Sequence, residues 1–150
     1  MKFSISTVLF VSPFTNASTK LFRRFKQWGY DAVELLIEDP ADIDPVFVKR
    51  ELDRYGLVCG SVCAAMNSAR DLRGSPASQR NGWRYLRALL DQMVTLNCPV
   101  LGGPLYSYVG RADAVAPAVY RRQWNAVVKN LRAVAQDAQQ RGKRVCIEPL

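Results

Sequence analysis

The chain has 150 residues, a formal net charge of +8, 49% hydrophobic residues and 23% charged residues. That length can bury a real core, and that balance excludes a disordered or low-complexity chain. No apolar run approaches the ~20 residues that a bilayer-spanning helix needs, so no membrane role is expected.

Much of the positive charge falls between the apolar positions of predicted helices, at Lys20, Arg23, Arg24 and Lys26 and again at Arg80, Arg84 and Arg87. These are solvated helix faces rather than a stripe that tracks phosphates, so no nucleic acid is expected as partner. Four cysteines, Cys59, Cys63, Cys98 and Cys146, lie in or beside predicted buried strands. None forms the close pairs of a zinc site, and Cys59 and Cys63, about 13 Å apart along an extended strand, are too distant to bridge. Buried structural thiols in a reducing, cytoplasmic compartment are the plain expectation.

Phe3 to Phe10 is β-prone and reads as the first strand. The segment from Met1 to Ser18 imitates a secretory leader only faintly, because one Lys and four interspersed hydroxyl residues suit a strand better. Asn16 or Ser18 can cap a helix that carries Leu21, Phe22, Phe25 and Trp28, ended by Gly29. Ala32 to Ile37 is the second strand. Asp44 and Pro45 open a second helix with Val48, Leu52 and Tyr55 on its apolar side, and Gly56 ends it. Leu57 to Cys63 is the third strand. A longer loop with Asn67, Arg70, Asp71, Arg73 and Gly74 leads to a third helix from Ser75-Pro76, bearing Trp83, Leu86, Leu90, Met93 and Val94. Asn97 closes it. Pro99 to Gly102 is the fourth strand, with Gly103 to Tyr108 as its exit loop. The fourth helix spans Pro117 to Arg141 and turns Trp124, Val127, Val128, Leu131, Val134 and Ala138 inward. After Gly142 the stretch Val145-Cys146-Ile147-Glu148-Pro149-Leu150 reads as a short buried fifth strand.

Alternating strands and helices imply parallel strands joined by right-handed crossovers, an α/β fold. A five-stranded doubly wound sheet needs a closing helix after strand five and a phosphate loop after strand one, and neither pattern is present. The better match is the N-terminal half of an eight-stranded TIM barrel: strands one to five and four helices of a fold that typically takes ~250 residues. On that expectation residues 1–150 are one partial barrel domain, truncated after strand five.

In such a barrel chemistry sits at the carboxyl ends of the strands. Alternation sets Cys146 and Glu148 on one face of strand five, opposite Val145 and Ile147, which suit the helical layer. Glu148 is therefore the first candidate for a catalytic or metal-binding residue. By the same test Ala32 and Glu34 face inward on strand two. With no histidine in the sequence, any metal ligand here is an oxygen donor, which suits Mn²⁺ or Mg²⁺ better than a soft metal.

Four stretches give the chain a family likeness: Gly29-Tyr30-Asp31-Ala32-Val33-Glu34-Leu35, the loop from Asp71-Leu72 to Ser75-Pro76, Val100 to Tyr108, and Cys146-Ile147-Glu148-Pro149-Leu150. With them the chain resembles the D-tagatose 3-epimerase/D-psicose 3-epimerase group of the xylose-isomerase-like barrels. The resemblance implies a metal-dependent ketose epimerase that moves the C3 proton through an enediolate. It implies Mn²⁺, Co²⁺ or Mg²⁺ as cofactor, a ketose as small-molecule partner, and a homo-oligomer at full length. Glu148 falls on the metal-binding acid/base glutamate at the end of strand five, and the remaining ligands belong to later strands. Glu34 and Tyr106 are candidate substrate contacts. Ser6 and Thr7 depart from the aromatics common at the end of strand one, and Val109 from a common Trp. Arg70, Arg73 and Arg111 are expected as solvated loop arginines rather than a phosphate grip.

Alternatives from the same superfamily are a hydroxypyruvate isomerase, an inosose dehydratase or a sugar-phosphate epimerase. An endonuclease IV-type nuclease is set aside, because that class needs histidines where strands three and four here end in Cys63-Ala64-Ala65 and Gly103-Pro104. A non-catalytic half-barrel that self-associates through open edges is the alternative from another class.

Overall fold

The structure, a computed structural model, describes residues 1–149. Leu150, the end of the predicted fifth-strand stretch, lies outside the described residues. Five strands, β1 (Ser4–Ser6), β2 (Ala32–Ile37), β3 (Val58–Ala64), β4 (Val100–Gly102) and β5 (Arg144–Val145), alternate with α1 (Leu21–Gln27), α2 (Pro45–Arg54), α3 (Pro76–Thr95) and α4 (Pro117–Gln140). The strands form one sheet in the order β1-β2-β3-β4-β5, and every pairing is parallel. This is the expected βα succession, with one helix laid over the sheet after each of the first four strands.

The local chemistry that starts the helices is largely the chemistry expected. Asp44 accepts from the backbone N–H groups of Val46 and Phe47 at 2.9 and 3.3 Å, with Pro45 in the first turn. Ser75 accepts from Ser78 N at 3.2 Å at the start of α3. Such caps satisfy amides that have no partner within the helix. The first helix differs in its entry: a 3₁₀ segment, Asn16–Lys20, precedes α1 and is capped by Thr15 and Ser18 in a reciprocal box.

On β2, Val33, Leu35 and Ile37 are fully buried under the helices while Glu34 is half-buried on the opposite face. Leu86, Leu89, Leu90 and Met93 from α3 have no exposed surface, and each contributes about 1.5–3 kcal/mol by burial. They form one core with Phe22 and Phe25 of α1 and Val48 and Leu52 of α2.

Four sequence expectations need correction. The first strand is three residues long, and Thr7–Leu9 winds into a 3₁₀ turn. The Thr7 hydroxyl, buried there, accepts from Leu36 N at 3.1 Å and so replaces the ladder bond that a longer strand would have made. Trp28, Val94 and Trp124 fit the apolar periodicity, yet each is more than half exposed. Trp28 is spread against Phe10, Phe25 and the Arg24 guanidinium instead. The third strand carries a register shift against β2: Val33 pairs with Cys59 but Glu34 with Ser61, leaving Gly60 as the extra residue of a bulge. Periodicity alone gives no sign of it. The fifth strand is an edge rather than a buried strand, with Cys146, Ile147 and Glu148 all exposed.

Candidate active site at the carboxyl ends of the strands

The bulge at Gly60 shapes the inner face. It sets Ser61 opposite Glu34, whose Oε2 accepts from the Ser61 hydroxyl at 2.7 Å. Ser6 stands on the other flank, paired in register with Glu34, and its hydroxyl is buried without a hydrogen-bond partner. The next layer toward the carboxyl end pairs Leu36 with Cys63 and Cys63 with Gly102.

Beyond Val145 the backbone keeps its ladder with β4: Cys146 N donates to Leu101 O at 2.8 Å and Glu148 N to Gly103 O at 3.0 Å. Alternation from these bonds puts Cys146 and Glu148 on one face. Ile147 and Pro149 line a groove with Trp124 and Val127 of α4, which leaves Cys146 and Glu148 on the inner face. Burial first, and then the charges of Glu34 and Glu148, push the Cys63 thiol up to about 11. Two carboxylates from different strands thus act on one thiol on the inner side of β3. Glu34 and Cys63 are half-buried, and Glu148 is exposed at the strand end.

Tyr106 lies elsewhere along the same rim. It lines a groove of about 640 Å³ with Arg73, Trp124, Val127, Ile147 and Pro149 among its neighbours. Ile147 and Pro149 flank Glu148 in sequence, so the tyrosine borders the strand end that carries Glu148 without sharing the Glu34 face.

The arginines of the exit loops are not solvated, contrary to expectation. Asp71, 1% exposed, holds both of the loops that follow β3 and β4. Its Oδ2 accepts from Arg111 Nη1 at 2.9 Å and from the Ser107 hydroxyl at 3.3 Å, and its Oδ1 from Arg73 N at 2.6 Å. Arg111 also pairs with Asp113 at 2.7 Å. These hydrogen bonds, to Asp71 first, raise the Arg111 pKa further. The Arg70 guanidinium carbon lies over the Tyr85 ring, 3.8 Å from its centroid. Leu72 N donates to Tyr106 O at 3.2 Å, which ties the Tyr106 loop to the same assembly. Ser78 fastens it to α3, donating to Ser68 O and Asp71 O at 3.1 Å and accepting from Asp71 N at 2.8 Å. The arginines hold loops together; their charge is spent on Asp71, Asp113 and Tyr85.

Sequence reasoning missed three contributors. Ser61 is found only through the bulge. Tyr85 projects from α3, accepting from Ala65 N at 2.8 Å and donating to Ile37 O, so it fastens the ends of β2 and β3. Gly103, at φ +109°, leaves space that a Cβ would fill 2.9 Å from Ala64 O. The cysteines need correction too: Cys59 and Cys98 are buried, but Cys63 is half-buried and Cys146 exposed.

A hard divalent cation finds one suitable donor here. Glu148 offers an exposed carboxylate at the strand end, but among the described residues no group of three or more His, Cys, Asp or Glu is placed to hold a metal ion. The residues fit as part of a site. No helix among them is long and apolar enough to cross a membrane.

A parallel βα succession with its carboxylates at the carboxyl ends of the strands is the architecture of half a TIM barrel. The sequence matches the Xylose isomerase-like TIM barrel model over residues 22–150, and the chain belongs to that family. No curated protein matches it. Among solved structures, the D-allulose 3-epimerase from Methylomonas sp. superposes with a TM-score of 0.87 at 22% identity, covering 97% of this chain and 50% of that one. An L-ribulose 3-epimerase gives 0.86 at 20% identity, covering 100% and 50%. The D-psicose 3-epimerase from Clostridium cellulolyticum H10, solved with D-tagatose, gives 0.81 at 20% identity, covering 100% and 53%. The chain therefore spans about half the length of the solved structures it matches, and at these identities the likeness is one of fold.

Proposed function

We propose that this chain furnishes the first half of a metal-dependent sugar isomerase, of the ketose 3-epimerase type. The observation that carries the reading is Glu148: an exposed carboxylate, on the inner face, at the carboxyl end of β5. A proton next to a ketone carbonyl is weakly acidic, and a base within hydrogen-bond reach can remove it. Glu148 is assigned that role, taking the C3 proton to leave an enediolate and returning a proton for the epimer. A divalent metal such as Mn²⁺, Mg²⁺ or Co²⁺, held in part by Glu148, would supply charge stabilisation for the developing oxyanion. Glu34, held by Ser61, is assigned to a sugar hydroxyl deeper in the site, and Tyr106 to the rim. The ketose-named neighbours support this reading of the substrate, and a homo-oligomer is part of it for the whole protein.

The test is an epimerisation assay of the whole protein with Mn²⁺ on a panel of free ketoses, sugar phosphates and hydroxypyruvate. Turnover of a free ketose supports the proposal; turnover of the phosphates or of hydroxypyruvate instead would move the chain to another branch of the family.

A second reading draws on the edges. Among the described residues β1 and β5 each have one unpaired side, and large apolar side chains stand exposed near both, Phe3 and Leu9 at one and Trp124 and Ile147 at the other. Open edges favour pairing with another chain, and a non-catalytic half-barrel would then self-associate. Gel filtration combined with Mn²⁺ titration separates the two: a stable dimer that binds no metal favours the scaffold.

A further inference from the structure

Two successive glycines close β4, and the surrounding chain explains only one of them. Gly103, at φ +109°, has Ala64 O where a Cβ would stand. Gly102 has neither reason. It is the last residue of β4 and does not take a positive φ, and a Cβ built on it meets no atom within 4 Å among the described residues. Neither backbone conformation nor packing against these residues asks for glycine there. Glycine weakens a strand, and in that setting it often marks a place where a ligand or another backbone comes close.

The strand register locates the empty volume. Leu101, the residue before, is fully buried in the core with the helices, so alternation turns Gly102 to the inner face. On one side Gly102 pairs with Cys63 of β3. On the other, Cys146 N donates to Leu101 O at 2.8 Å and Glu148 N to Gly103 O at 3.0 Å. These two bonds bracket Gly102, setting Cys146 beside it and Glu148 one layer further toward the carboxyl end. Cys63 is half-buried and Cys146 exposed, so the gap between two short side chains stays open. Its borders are a bare backbone carbon and two thiols, which hydrogen-bond weakly. Such a wall suits the carbon side of a ligand rather than its hydroxyls.

We propose that Gly102 is a specificity-determining residue of the candidate site: its missing side chain leaves the wall below Glu148 free for the carbon chain of the bound ketose. The inference rests on the ketose epimerase reading and adds to it the residue that sets how closely the substrate approaches β4. A side chain at this position fills the volume without touching the described atoms of the chain. Substitution therefore acts on the substrate and leaves the fold alone. One methylene group in a binding pocket changes discrimination by ~10–200-fold.

The experiment compares the whole protein with its Gly102→Ala and Gly102→Val variants, on free ketoses with Mn²⁺, together with thermal melts. KM is expected to rise ~10-fold in Gly102→Ala and ~10²-fold in Gly102→Val. kcat stays near its original value, because a loss of uniform binding moves KM alone. The Tm of Gly102→Ala holds or rises, since alanine at an unstrained position restricts the unfolded chain. A second readout needs no turnover: alkylation of Cys146 by iodoacetamide, followed by mass spectrometry of its peptide, is slowed by saturating D-psicose in the whole protein and not in Gly102→Val. Protection without epimerisation would remove the epimerase reading and leave this inference standing. Epimerisation with KM unmoved in both variants, or a lowered Tm in Gly102→Ala, would overturn the inference and leave that reading standing. Neither protection nor epimerisation would overturn both.

Discussion

Replacing Asp71 by alanine tests how the active end of this sheet is held. Asp71 is 1% exposed and accepts from Arg111, Ser107 and the backbone of Arg73, at 2.9, 3.3 and 2.6 Å. Removing one partner of a buried ion pair typically costs ~3–5 kcal/mol, because the other charge is left without its counter-ion. Arg111 retains Asp113, whose side chain is 56% exposed, so the lower end applies and the expected loss is about 3 kcal/mol. That is a large share of the ~5–15 kcal/mol that stabilises an ordinary domain. Asp113→Ala removes only the exposed half of the arrangement and should cost ~1 kcal/mol or less. Urea denaturation followed by tryptophan fluorescence measures both, with the slope of each transition expected unchanged. A loss for Asp71→Ala no larger than for Asp113→Ala would refute the reasoning and return the loop arginines to solvent.

Three further outcomes are expected. Ser61→Ala breaks the 2.7 Å bond to Glu34 and should cost ~1.5–3 kcal/mol, a charge-assisted bond being the stronger kind; the same urea assay reads it. Gly103→Ala forces a side chain to φ +109° and sets its Cβ 2.9 Å from Ala64 O, so a loss of at least ~1–3 kcal/mol is expected in thermal melts. Cys63, with its thiol pushed up to about 11 in the folded chain, starts from an unfolded value near ~8.5. The folded state holds this proton more tightly, so the contribution is fully present below the unfolded value and is lost as pH rises through the folded one. Iodoacetamide labelling of Cys63 should have its midpoint near the folded value, and Glu34→Gln should lower that midpoint.

Much of the fold was legible because its signals are local. Asp44-Pro45 and Ser75-Pro76 are helix starts whatever surrounds them, and the β2 alternation follows from residue type alone. Glu148 was legible for the same reason: alternation fixes its face and the strand end fixes its position. The bulge at Gly60 was not, because it is a relation between two strands, and with it went the Glu34–Ser61 bond. The Asp71 assembly joins residues 71, 73, 107 and 111 from two loops, and no periodicity reports that. Trp124 and Trp28 misled because apolar periodicity marks a face without saying whether anything covers it.

The central claim is that Glu148 moves the proton. Its most direct test is exchange of the C3 proton of D-fructose, D-psicose and D-tagatose in D₂O with Mn²⁺, followed by NMR for the whole protein and for its Glu148→Gln variant. The account predicts exchange at C3 in the whole protein, reduced by at least ~10²-fold in Glu148→Gln. No exchange on any of these ketoses, or exchange that survives Glu148→Gln, would contradict it.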